Sequence, residues 1–123
     1  MQSRSGFPVR RVYEAPEAAD GVRVLVDRLW PRGLSKERAA VGEWLKDLTP
    51  SSGLRTAYHE EEVDFDTFTR RYLDELAEPE AELSVRHLLA LAGSTTITLV
   101  TAVKDPEHSH IPVLVEHLQA RRP

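Results

Sequence analysis

The sequence predicts an α/β domain: a small three-layer sandwich with a mostly parallel central sheet, Rossmann-like in the broad sense. Three observations carry the prediction. Short β-rich runs stand at residues 9–13, 23–26 and 95–103, longer stretches with apolar residues at helical spacing lie between them, and Gly- or Pro-containing segments punctuate the joins. Strands separated by helices favour parallel pairing with helices packed on the sheet.

The 123 residues are expected to form one domain over 1–123, long enough to bury roughly two-thirds of the unfolded surface. With no cysteine, disulfide frameworks, thiol catalysis and sulfur-ligated metal centres are excluded. Arg4, Arg10 and Arg11 occur early without an apolar leader core, and no run approaches the roughly 20 apolar residues of a membrane span. A cytoplasmic protein without a membrane partner is the expectation.

The first strand is read at 9–13 and the second at 23–26, as neighbours joined through the turn region 16–21. Pro31-Arg32-Gly33 breaks regular structure, and Ser35 can cap a short helix reaching Val41 before Gly42. Residues 43–48 are read as a further turn or two of helix with Trp44, Leu45 and Leu48 inward, 49–53 as loop, and 54–58 as a helical piece. Asp64 can cap a longer helix whose stripe is Phe65, Phe68, Tyr72 and Leu76. The next begins near Pro79, turns Leu83, His87 or Leu88, and Leu91 inward, and closes at Gly93.

The run Thr96-Ile97-Thr98-Leu99-Val100 is the best central strand, ended by Lys104-Asp105-Pro106. A last helix runs from about Ser109 to Gln119, with Pro112 at its third position and Ile111, Leu114, Val115 and Leu118 inward. His87 is placed beside the helical core and His117 on the outer side of the last helix, neither with a chemical role. Both chain ends are expected to fray.

If the strands at 23–26 and 97–100 are parallel neighbours, their carboxyl ends bring two polar clusters to one rim, where open α/β sheets bind ligands. One cluster is Asp27, Arg28, Arg32 and Lys36; the other is Lys104, Asp105, His108 and His110; Arg55 and His59 can supply a third wall. Arginine grips carboxylate or phosphate through its planar fork. Asp27 and Arg28 could instead form a structural pair bracing the strand end, and Trp30 reads as a packed anchor before a stacking platform.

His110, near the start of the last helix, is expected to be a neutral imidazole able to act as a general base. His110 or His59, oriented by Asp105, is therefore the candidate for proton transfer; alternatively both His108 and His110 serve only local backbone groups. A metal site from Asp105, His108 and His110 would need a further ligand such as His59, and no metal is assigned. Neither Ser51 nor Ser109 stands in a nucleophile elbow, and the Thr49–Gly53 segment could offer amides to an anion or be an ordinary cap. No dinucleotide fingerprint or Walker loop occurs, and no cofactor is expected.

The run Val24-Leu25-Val26-Asp27-Arg28-Leu29-Trp30-Pro31-Arg32-Gly33, with Leu34-Ser35-Lys36, resembles the signature of the DUF488 family in its YeaO-like branch. The likeness continues through Trp44-Leu45-Lys46, Pro50-Ser51, Leu54-Arg55, Phe68 with Tyr72, and Lys104-Asp105 with His108 and His110. It implies a compact α/β fold and no particular reaction. Ser109 and Thr101 stand where the family typically has asparagine and tyrosine.

Two functional readings follow. The first is a pocket for a small anionic ligand, either in an enzyme using histidine acid/base chemistry or in a non-catalytic binding domain. The second is an interaction protein with a local phosphate or nucleic-acid contact at Arg28, Arg32, Lys36 and Arg38. The net charge of −4, with ten acids over residues 59–82 against Arg70 and Arg71, opposes a broad nucleic-acid surface. The sequence sets no oligomeric state.

Overall fold

The central-strand candidate lies where two faces and two edges must all be covered. In a computed structural model, which describes residues 7–121, β4 (Ile97–Thr101) is buried along its whole length. It sits between β1 (Val9–Arg11) and β2 (Val22–Leu25), and a short β3 (Glu43–Trp44) completes the order β1-β4-β2-β3, with every pairing parallel. The expected fraying of the ends falls outside the described residues.

The first two strands are therefore not neighbours. A strand buried on both faces gains most by hydrogen bonding along both edges, so β4 separates them, with Leu99 in register with both Val9 and Val24. Residues 43–48 also depart from the expected helix, giving β3 followed by a tight helical turn at Lys46–Leu48. Here the amides of Gly42 and Leu45 bond to the carbonyls of Arg23 and Leu25, satisfying the outer edge of β2. Gly21 makes the entry to β2 possible: its φ is +63°, and a Cβ would fall 2.2 Å from the Thr96 carbonyl oxygen.

One sheet face is thickly covered. Helices α2 (Ser52–His59), α3 (Phe65–Leu76), α4 (Pro79–Ala92) and α5 (Ile111–Arg121) contribute to one core with Val24, Val26, Ile97 and Leu99. Asp64 caps α3 by accepting from the Thr67 amide, and of the predicted stripe Phe68, Tyr72 and Leu76 are buried, whereas Phe65, at the first turn, is 39% exposed. Each such side chain contributes roughly 2–3 kcal/mol on leaving water. In α4 the buried stripe is Ala81, Val85 and Leu88, whereas Leu83 is 67% exposed. Two apolar stripes compete on that helix, and the one with the smaller residues packs closer.

The opposite face is thin. The four-residue α1 (Lys36–Ala39), capped by Ser35, packs with Trp30, Leu34 and Trp44 over Leu25 and Val100. This makes the third layer little more than the excursion after β2. Buried Arg23 also lies within it, donating to Asp20 and to the carbonyls of Val12, Glu14 and Ala39. Burial pushes the Asp20 carboxyl up, but the Glu17 amide and the guanidinium groups of Arg10 and Arg23 outweigh this and hold it below the usual carboxylate range.

The histidines outside the rim sit differently from expectation. His87 is exposed and donates to Glu43, and His117 is half-buried with an Nε2 that has no hydrogen-bond partner among the described residues. Helix α5 begins at Ile111, one turn position later than read, so Pro112 is its second residue. The His110 carbonyl accepts the first helical bond, from Leu114, while Ser109 Oγ accepts from the Ile111 amide.

Candidate functional site

Because β2 and β4 are parallel neighbours, with Leu25 beside Val100, they leave the sheet at the same edge. Asp27 follows immediately and bridges the two exits: one carboxylate oxygen accepts from the Thr101 hydroxyl at 2.6 Å, the other from the Ala102 amide at 2.7 Å. Arg28 turns to the 49–50 segment, donating from Nε to the Pro50 carbonyl at 3.1 Å and from Nη2 to the Thr49 carbonyl at 3.2 Å. Trp44 donates to the Asp27 carbonyl and Trp30 to the Leu34 carbonyl, and the two indoles meet edge to face at 5.4 Å. Trp30 is thus a packed anchor as well as part of a wall.

These elements enclose a cavity of about 580 Å³. From the β2 exit it is lined by Asp27, Arg28 and Arg32; from the β4 exit by Lys104, Asp105, His108 and His110. Helix α2 adds Arg55 and His59. Lys36 is not among the lining residues: the short α1 carries it, exposed, on the thin face. Sequence reading missed Tyr13, Tyr58 and Phe68, which also line the cavity. The helical stripe gave Phe68 only as core, and nothing local distinguishes a core aromatic from one whose edge reaches a cavity.

Asp105 does not orient His110. It accepts from His108 Nδ1 at 2.7 Å in an exposed pair, and this hydrogen bond raises the His108 pKa. His110 instead donates from Nε2 to the Val26 carbonyl at 2.8 Å. A carbonyl can only accept, so the proton sits on Nε2 and Nδ1 carries the lone pair. Burial is the main cause pushing the His110 pKa down, helped by Arg55 and opposed by the Val26 bond and Asp27. Burial, more than a helix end, is thus what favours the neutral imidazole here.

The alternative anion cradle at 49–53 is already filled from within. Ser51 caps α2, and its amide and hydroxyl both donate to the Glu75 carboxylate, at 2.8 and 2.7 Å. Ser109 Oγ donates to the Pro106 carbonyl. Among the described residues, no cluster of three or more histidine or carboxylate side chains is placed to hold a metal ion.

Four cations against two carboxylates line the cavity, in a chain of formal net charge −4. Arg32, Arg55 and Lys104 make no side-chain hydrogen bond or ion pair with the described residues. The arrangement can receive negative charge at exposed guanidinium and ammonium groups beside an aromatic wall. Among the described residues, no helix is long and apolar enough to cross a membrane.

A family profile described as the inactive DUF488-N3 subclade matches residues 7–122. The chain is 44% identical over 111 residues to the uncharacterized protein YeaO of Escherichia coli K12, covering 90% of this chain and 95% of that protein. It is 43% identical over 113 residues to the uncharacterized protein Rv3073c of Mycobacterium tuberculosis H37Rv, covering 92% and 93% respectively. No solved structure matches the chain. With its α/β sheet, its rim motifs and near full-length similarity to these proteins, the chain belongs to the DUF488 family, in its YeaO-like branch.

Proposed function

We propose that the protein is a non-catalytic binding domain for a small anionic ligand, held in the cavity at the carboxyl ends of β2 and β4. The observation that carries this reading is the division of charge around the cavity. Among the described residues Arg32, Arg55 and Lys104 have no side-chain partner, whereas Asp105, Asp27 and His110 are engaged elsewhere, and exposed His59 has no carboxylate partner to orient it. Asp105 holds His108, Asp27 bridges Thr101 and Ala102, and His110 is fixed to a backbone carbonyl. General acid/base chemistry needs an orienting partner for its imidazole and a proton path to the reacting atom. Val26 supplies orientation alone. The profile's description of its subclade as inactive supports the same choice.

Calorimetric titration with inorganic phosphate and with acetate, repeated in Arg55→Gln, tests the reading. Saturable binding of one equivalent is expected, weakened at least about tenfold by the substitution as a charge-assisted contact is lost. Binding unchanged in Arg55→Gln, or spread over many weak sites, would refute the reading.

A further inference from the structure

We infer that the cavity takes an anion bearing a compact apolar group, apolar end first, so that the ligand class is an organic phosphate monoester or carboxylate whose charge stays at the rim. This rests on the anion-binding reading and adds the part of the ligand that the cations do not touch. Mouth and floor differ in chemistry. Arg32, Arg55 and Lys104 are all exposed, so the positive charge that has no partner among the described residues lies at the mouth. Deeper, the wall is Phe68, 2% exposed, buried Pro50, and half-buried Tyr58, whose ring stacks on Phe68 at 4.6 Å.

The polar groups at depth offer an anion little. Arg28 already donates to two carbonyls, and His110 already donates from Nε2 to the Val26 carbonyl where burial disfavours its charged form. A charged head moved inward would lose water without gaining a free cation. An apolar group gains from the same surroundings, because it removes both its own surface and that of the aromatic wall from water. Leu29 and Tyr13, 68% and 46% exposed, also line this cavity and extend the apolar surface towards its mouth.

Size agrees with an organic ligand. About 580 Å³ is far more than a bare phosphate or acetate displaces, at roughly 30 Å³ for one water, and it falls within the range of about 300–1,000 Å³ usual for organic ligands. A bare anion at the rim would leave the aromatic wall wet.

Calorimetry on the full chain at fixed ionic strength decides the matter, using phenyl phosphate, benzoate, inorganic phosphate, acetate and benzyl alcohol as probes. Phenyl phosphate and benzoate are expected to bind at least about tenfold more tightly than inorganic phosphate and acetate respectively. Leu29→Ser should narrow that gap without moving the unfolding midpoint, since Leu29 is exposed. Equal affinity of the aryl and simple anions overturns the inference while leaving the anion-binding reading intact. Benzyl alcohol binding as tightly as phenyl phosphate overturns the anion-binding reading, and absence of binding by every probe overturns both.

Discussion

After β2, the polar side chains nearest the sheet turn to the protein itself: Asp27 to Thr101 and Ala102, Arg28 to the carbonyls of Thr49 and Pro50. After β4, Lys104 has no side-chain partner among the described residues, and Asp105 and His108 pair only with each other in solvent. Two clusters of similar composition at one rim therefore divide into braces and free groups. The division follows burial, because a half-buried charge needs partners whereas an exposed one keeps its water.

The comparison breaks most directly at its two aspartates. Asp27→Ala should destabilise by about 2–3 kcal/mol in denaturant unfolding, since it orphans the Thr101 hydroxyl and the Ala102 amide. Asp105→Ala should leave the unfolding midpoint unchanged. Similar losses at both positions would erase the distinction. The arginines sharpen it next: Arg28→Ala should cost about 1–2 kcal/mol by releasing the 49–50 segment, while Arg55→Gln should alter anion affinity and not stability.

A smaller effect concerns protons. Because burial lowers the His110 pKa in the fold, its contribution to stability is complete above the unfolded value of about 6.5 and is lost as the pH falls towards the lower folded value. Between pH 7 and 5 the unfolding free energy should decline by at most about 1.4 kcal/mol per pH unit on this account. His110→Gln should flatten that part of the profile, and an unaltered profile would assign the slope to other groups. His108, paired in solvent, shifts the opposite way, and His108→Gln should leave unfolding nearly unaffected across this range.

Much of the fold is legible in the sequence because its signals are local. The β-branched run at 97–101 announces a central strand, Asp64 and Ser35 announce caps, and Phe68, Tyr72 and Leu76 announce a helical core face. What escapes depends on distant partners. Residues 43–44 become a strand because β2 has an open edge, and Leu83 loses the core to Ala81 and Val85 because neighbouring elements choose between two apolar stripes. At the rim, residue types foretell a polar cluster at both exits, and parallel pairing brings them around one cavity. Sequence cannot tell which acid meets which histidine. Asp105 is three residues from His108 and five from His110, and the turn at Pro106–His108 delivers the nearer one.

The most direct measurement of the central claim is an NMR titration with phenyl phosphate, following the side-chain Nε resonances of the arginines. The account predicts saturable shifts at Arg55 and Arg32 with a common affinity, smaller changes at Arg28, and none at Arg70 and Arg71 on α3. Shifts of equal size at Arg70 and Arg71, or no saturable shift at Arg55, would contradict it.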